Sequence, residues 1–174
     1  MNLQMQKEHF IIQSERLTLT PYTALDADET YQQITPTLTQ FMSWEPPATR
    51  QDFDLIWQRW LLDIEQGKEL TYVIRHTDSH EFIGITALHH IQTNTPEIGL
   101  WIREDRHGVG FGQETVQSLV EWASFNYKPK YFIYPVAVEN MASRKIAESV
   151  GGMTQYFEKK TKYDAVTYYI PPKI

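Results

Sequence analysis

Alternation of apolar and polar positions first marks a strand at Arg16-Leu17-Thr18-Leu19-Thr20, closed by Pro21, which cannot donate to a ladder. A loose arm is expected before it and a helix after it, from Thr23, whose spacing to Asp26 resembles a capping box, to about Ile34. The clearest helix follows Thr49: Asp52 completes a capping box, Phe53, Ile56, Trp57, Trp60, Leu61 and Ile64 share one face, and Gly67 stops it. That face reads as core, with Trp57 and Trp60 packed on a sheet. Leu70 to Arg75, Phe82 to Ile91 and Glu97 to Ile102 then read as strands joined by short polar turns, an antiparallel meander. Beyond a glycine cluster comes a helix with Val116, Leu119, Val120 and Ala123 on one face, ended at Lys128-Pro129-Lys130. Tyr131 to Val138 predicts a buried strand, Asn140 to Val150 a short helix, and Met153 to Lys159 with Ala165 to Ile170 a last pair of strands. Helices after a meander give an α+β layer structure.

Composition narrows the class. The chain has 174 residues, 41% apolar and 22% charged, and neither linker nor repeat divides it, so residues 1–174 are expected to form one globular domain. No run of about 18 apolar residues is present and Met1 to His9 is polar, so neither a membrane nor an export signal is expected, and a cytoplasmic location is. The absence of cysteine excludes disulfides, thiolate metal sites and a cysteine nucleophile. A formal charge of −6 argues against nucleic acid as partner and suits a basic one. The basic run Lys159, Lys160 and Lys162 reads as a solvated hairpin end without function. No metal site is expected: His76 and His80 fall in a turn, and His89 and His90, adjacent on a strand, point to opposite faces.

The candidate chemistry lies between Glu97 and Arg144. His107-Gly108-Val109-Gly110-Phe111-Gly112 has glycine at every second position and opens directly into a helix. Such a loop lets consecutive main-chain N–H groups approach an anion and adds the positive end of the helix, which predicts a phosphate or pyrophosphate site. It lacks the lysine of a P-loop, and its Gly-x-Gly-x-Gly spacing after antiparallel strands is not the dinucleotide fingerprint.

The loop resembles the Gln/Arg-x-x-Gly-x-Gly/Ala pyrophosphate loop of the GNAT superfamily of N-acetyltransferases, with His107 in place of the glutamine or arginine. Three further stretches are similar to its RimJ/RimL-like branch, the N-terminal acetyltransferases of ribosomal proteins. Ser14-Glu15-Arg16-Leu17-Thr18-Leu19-Thr20-Pro21 matches the branch's opening Thr-Glu-Arg-Leu-x-Leu-Arg-Pro, and Glu97-Ile98-Gly99-Leu100-Trp101-Ile102 its Glu-Ile-Gly-Tyr-Trp-Leu strand. Asn140-Met141-Ala142-Ser143-Arg144, with Glu148 and Gly151, resembles Asn-x-x-Ser followed by Glu-x-x-Gly-Phe, Gly152 replacing the phenylalanine and expected to loosen the last hairpin.

The resemblance implies a mostly antiparallel twisted sheet of about seven strands flanked by helices, with the pyrophosphate loop between the fourth strand and the third helix. It implies acetyl-CoA as cofactor, held by Leu100, Trp101 and Ile102, by His107, Gly108, Val109, Gly110, Phe111 and Gly112, and by Asn140 and Ser143. A main-chain N–H near Leu100 or Trp101 would polarise the thioester, and Ser143 would return a proton to the leaving thiolate. Glu97 is the expected general base and Glu158 its rival, while Phe41 and Trp44 would contact substrate. The implied reaction is direct attack by a primary amine, a protein N-terminus or alternatively a small amine such as a polyamine or antibiotic; a non-catalytic acyl-CoA-binding module is the third reading. Either a monomer or a homodimer fits.

Overall fold

A computed structural model describes residues 7–174; the first six positions of the expected arm lie outside the described residues. The strands are β1 (Ile12–Gln13), β2 (Leu17–Pro21), β3 (Leu70–His76), β4 (Phe82–His89), β5 (Glu97–Ile102), β6 (Phe132–Ala137), β7 (Met153–Lys159) and β8 (Asp164–Ile170). The helices are α1 (Ala27–Gln33), α2 (Pro36–Thr39), α3 (Arg50–Glu65), α4 (Phe111–Tyr127) and α5 (Met141–Ser149), with single 3-10 turns at Ala24–Asp26 and Glu104–Arg106. All eight strands form one sheet in the order β1-β2-β3-β4-β5-β6-β8-β7. The glycine loop therefore follows β5 and precedes α4; the additional elements, a two-residue strand and a four-residue helix, are too short to leave a periodic signal.

The arm is not loose where it is described. Phe10 packs on Trp122 with ring centroids 5.9 Å apart, the Trp122 indole donates to the His9 carbonyl at 3.3 Å, and β1 pairs with β2. The last hairpin is not loosened by Gly152 either, since β7 pairs with β8 from Met153↔Tyr169 to Lys159↔Asp164. A side chain at Gly152 would meet the Ala147 carbonyl at 2.5 Å, so a phenylalanine would not fit there.

Strand alternation sorts the core into two layers. Leu70, Tyr72 and Ile74 of β3, with Ile98 and Ile102 of β5, face Val116, Leu119, Val120 and Ala123 of α4. Val73, Ile85 and Trp101 face the other way, toward Trp57, Trp60, Leu61 and Ile64 of α3. Both ends of α3 follow the sequence: the Thr49–Asp52 capping box forms, and Gly67 takes a φ of +66°. At its far end β4 stops at His89 because His90 enters the left-handed region with φ +56°.

The feature that prepares a site is a parting of strands. β5 pairs with β4 along its whole length, but meets β6 in a single parallel bridge, Glu97↔Ile133. The Ile133 N–H donates to the Pro96 carbonyl at 2.9 Å, so the odd positions of β6 turn their main-chain groups toward β5. The next such position is Pro135, which has no N–H to give. The ladder stops there, and β6 continues against β8 alone.

Where β4 and β5 remain zipped they are close: a Cβ on Gly84 would lie 2.2 Å from the Trp101 carbonyl oxygen. Gly84→Ala must push the two strands apart, at about 1–3 kcal/mol for an overpacked site. A thermal melt should show the midpoint lowered by roughly 2–12 °C for a domain of this size.

Candidate active site

The parted strands leave one edge of β5 open. Arg103 donates its N–H to the Ile83 carbonyl at 2.9 Å, which turns the odd positions of β5 toward β4 and the even ones away. Leu100 thus presents its main-chain N–H and C=O to the gap, whereas the Trp101 N–H is turned toward β4. Of the two main-chain donors expected from sequence, the geometry selects Leu100.

The glycine loop lies at the end of this gap. Gly108 and Gly110 take φ values of +79° and +86°, a region only glycine enters freely, and the loop from His107 to Gly110 is exposed. At the start of α4 the N–H groups of Phe111, Gly112 and Gln113 have no intrahelical acceptor, and the helix dipole adds to them. Gly112 allows α4 to approach α5: a Cβ there would stand 2.7 Å from Ile146 Cδ1. The His107 ring does not point into the loop; its Nε2 donates to the Ile102 carbonyl at 2.6 Å and ties the loop back to β5.

A second tie comes from the turn between β1 and β2. Glu114 Oε1 accepts from the Ser14 hydroxyl and the Arg16 N–H, both at 2.7 Å, and Oε2 accepts from Arg16 Nε at 2.7 Å. The same guanidinium donates to the Val109 carbonyl at 3.0 Å and covers the Phe111 ring, 4.5 Å from its centroid. Burial alone would push the Glu114 carboxyl upward, but the hydrogen bonds from Ser14 and Arg16 outweigh it and hold the group below the usual carboxylate range.

On the other face the gap opens into a cleft of about 470 Å³. One end holds Leu100, Tyr134, Asn140 and Ser143; the other is walled by Phe41, Met42, Trp44, Phe53, Ile56 and Trp60. Asn140 caps α5, its Oδ1 accepting from the Ser143 N–H at 3.2 Å. The Ser143 hydroxyl shares a 2.7 Å hydrogen bond with Tyr134, whose own hydroxyl is pushed up to about 12 by burial, against the Ser143 bond, so it remains protonated near neutral pH. Glu97 lines the cleft between the two ends, opposite His89 on β4. His89 Nδ1 lies 2.9 Å from Glu69 Oε2, which makes Nδ1 the donor and leaves the lone pair of the neutral ring on Nε2. That Nε2 lies over Gly99, 3.1 Å from where a side chain there would begin.

Two readings from the sequence need correction. Trp57 and Trp60 are only half-buried: they pack on the inner layer with one side, and Trp60 and Ile56 face the cleft with the other. Nor is the basic hairpin end merely solvated. Lys162 Nζ donates to the carbonyls of Thr39 at 2.8 Å and Trp44 at 3.1 Å and pairs with Glu45 at 2.7 Å, fastening the loop that carries Phe41 and Trp44. Lys160 lines the cleft, while Glu158 is half-exposed beside it, 3.8 Å from its Nζ, and lies outside the lining. The structure thus brings Glu97, Leu100, Asn140, Ser143, Phe41 and Trp44 to one cleft and leaves Glu158 out of it. Sequence reasoning missed Glu114, Tyr134, His89 and Lys162. The inward parity of Tyr134 with Phe132 and Val136 was a readable signal; the other three depend on partners distant along the chain.

A family model described as an acetyltransferase (GNAT) domain matches residues 16–153. The chain belongs to the GNAT acetyltransferase family. No curated protein matches it. Solved structures agree on the fold: a RimL ribosomal-protein alpha-N-acetyltransferase in complex with coenzyme A has a TM-score of 0.83 at 20% identity, covering 93% of this chain and 98% of that one. Spermidine N-acetyltransferase from Vibrio cholerae, in complex with CoA and spermine, has a TM-score of 0.77 at 18% identity over 91% of this chain and 96% of that one. Mycobacterium smegmatis RimJ, in complex with CoA-disulfide, has a TM-score of 0.76 at 18% identity over 89% and 81%. The protein is therefore a GNAT N-acetyltransferase that uses acetyl-CoA. The residues present fit that cofactor, with an exposed glycine loop and helix start for a pyrophosphate and an open strand edge at Leu100 for an extended amide chain.

In this GNAT domain the Glu114 tie is what binds the start of α4 and the glycine loop to the Ser14–Arg16 segment ahead of β2. A carboxyl held low in the folded state contributes stability above its unfolded pKa and loses it as pH falls through the folded one. Glu114→Gln should lower the melting midpoint at pH 7 by roughly 2–8 °C, about 1–2 kcal/mol for charge-assisted bonds at a part-buried group. Melts taken at successively lower pH should show the gap between wild type and variant closing below about pH 4, the ordinary carboxylate range.

Proposed function

We propose that this acetyltransferase modifies a protein N-terminal α-amino group, of the ribosomal-protein kind, by direct attack of the amine on the acetyl thioester. The observation that carries the proposal is the meeting, in one cleft, of the Glu97 carboxylate, the open main chain of Leu100 and the Ser143–Tyr134 hydroxyl pair. Acetyl-CoA, when bound, supplies an acetyl group activated as a thioester. The loop from His107 to Gly112 and the start of α4 would hold its pyrophosphate, and the even positions Leu100 and Ile102, with Asn140, its extended arm, whereas the main chain of Trp101, expected from sequence to join them, faces β4. The Leu100 N–H would serve as the oxyanion-type donor, a reading supported by its position on β5, which β4 holds on one side while the other faces the gap. Glu97 attracts the ammonium and takes its proton directly or through a water molecule. His89, its ring held by Glu69, offers a second acceptor across the strand pair. Ser143, bonded to Tyr134, is the proton donor to the leaving thiolate.

An α-amino group suits this arrangement because it titrates at about 7.7–8.0 against about 10.4 for lysine, so far more of it is neutral near pH 7. The net charge of −6 favours a basic partner.

Two measurements test the reading. Acetyl-CoA should raise the melting midpoint by binding the folded state, and Gly110→Asp should abolish that rise, because it adds bulk and negative charge at a left-handed position 3.4 Å from Arg16 Nη2. An undiminished rise in a folded Gly110→Asp protein would place the anion elsewhere. Glu97→Gln should keep acetyl-CoA affinity yet lower turnover by about 10²–10⁴-fold at neutral pH, with partial recovery at higher pH as more amine is neutral. Turnover equal to wild type across pH would remove Glu97 from the mechanism.

A further inference from the structure

The acceptor end of the cleft carries information about the amine that the family does not. Its wall is made of Phe41, Met42, Trp44, Ile56 and Trp60, backed by the buried Phe53, and among the described residues Glu97 is the one carboxylate of the lining. The wall is rigid. Trp60 meets Tyr22 edge-on with centroids 5.0 Å apart and Phe53 at 6.1 Å, and Phe53 stacks on Tyr31 at 5.5 Å. The loop bearing Phe41 and Trp44 is fastened at its main chain by Lys162, so its aromatic groups hold their places rather than collapsing into the space. Ile56 remains 40% exposed, an apolar side chain left uncovered at the cleft.

Charge limits what can enter. A single carboxylate in the lining neutralises a single ammonium; each further cation drawn into the cleft would lose its hydration with no partner there, and the Lys160 ammonium at the rim already has Glu158 beside it. A polyamine or an aminoglycoside, with several cationic groups, is therefore a poor occupant. A short polar first residue would leave the aromatic wall wet and unused, whereas a large apolar side chain beside the amine would cover it.

We infer that the acceptor is a polypeptide whose first residue bears a large apolar or aromatic side chain, seated on the Phe41–Trp60 wall with its α-amine at Glu97. This rests on the acetyltransferase reading above and adds the identity of the side chain next to the amine. The test is thiol release from acetyl-CoA with otherwise identical peptides beginning with Phe, Leu, Ala or Ser, alongside phenethylamine and spermidine. Phe- and Leu-initiated peptides should exceed the Ala and Ser peptides by roughly 10–200-fold in kcat/KM, the range that apolar pockets discriminate, and should exceed both free amines. They should also perturb tryptophan fluorescence on binding without cofactor. Ile56→Glu, at an exposed position that tolerates a charge, should raise the spermidine rate relative to the Phe peptide by about tenfold through a second carboxylate. Equal rates for Ser and Phe peptides, preference for spermidine or phenethylamine, or an unchanged ratio in Ile56→Glu would overturn the inference while leaving the acetyltransferase reading intact. Absence of thiol release with every amine would overturn that reading itself, and this inference with it.

Discussion

A missing hydrogen-bond donor organises the molecule. Sheets close by pairing every main-chain group that is not exposed to water, and an open edge inside a sheet is otherwise costly. Here β5 and β6 begin as a parallel pair at Glu97 and Ile133, and the next donor of β6 directed at β5 falls on Pro135. The strands part at that residue and the sheet acquires an internal edge. Everything at the site depends on this: the free main chain of Leu100, the passage from the glycine loop to the acceptor wall, and the entry of α5, with Asn140 and Ser143, beside the gap. The edge is held open by flanking elements that already have partners, β5 zipped to β4 and β6 to β8.

The same economy governs the glycine loop. Its glycines give it left-handed turns but no stiffness, so it must be fixed from outside. Glu114 does this by collecting three donors from Ser14 and Arg16, and the Arg16 guanidinium in turn holds the Val109 carbonyl and covers Phe111. A part-buried carboxylate with that many donors is well satisfied, and its charge is offset by Arg16. The effect is that an acidic residue beside the loop serves structure, with its negative charge offset by Arg16 where the pyrophosphate is proposed to sit. His107 acts in the same sense from the other side, bonding back to the Ile102 carbonyl. Its departure from the glutamine or arginine of the family pattern thus fits a bracing part.

Much of the fold was legible because its signals are local. The capping box at Thr49, the α4 face of Val116, Leu119, Val120 and Ala123, and the alternation through β3 to β5 each lie within a dozen or so residues. Elements without a period, the two-residue β1 and the four-residue α2, were not. Trp57 and Trp60 show the limit of amphipathic reasoning: their spacing marks the face that turns inward, but it does not say whether the space beneath is filled. Lys162 shows the converse, since a lysine in a basic run reads as solvated until the chain returns a loop 118 residues away to bond it.

The two ends of the cleft were legible to different degrees for one reason. The end that fits acetyl-CoA is built from continuous segments, β5 with its glycine loop and the start of α5, so residues that act together are neighbours in sequence and form a motif. The acceptor end is assembled from the loop after α2, one face of α3, the odd positions of β4 and β5, and the hairpin after β7. Its members meet only through tertiary packing, and in the sequence they are isolated aromatic and aliphatic residues like those of any core. A fold that keeps cofactor contacts local and acceptor contacts dispersed can replace the second set one side chain at a time without disturbing the first. Family membership is then written in the glycine loop, and the proposed choice of acceptor in the depth, charge and apolar character of the wall around Glu97.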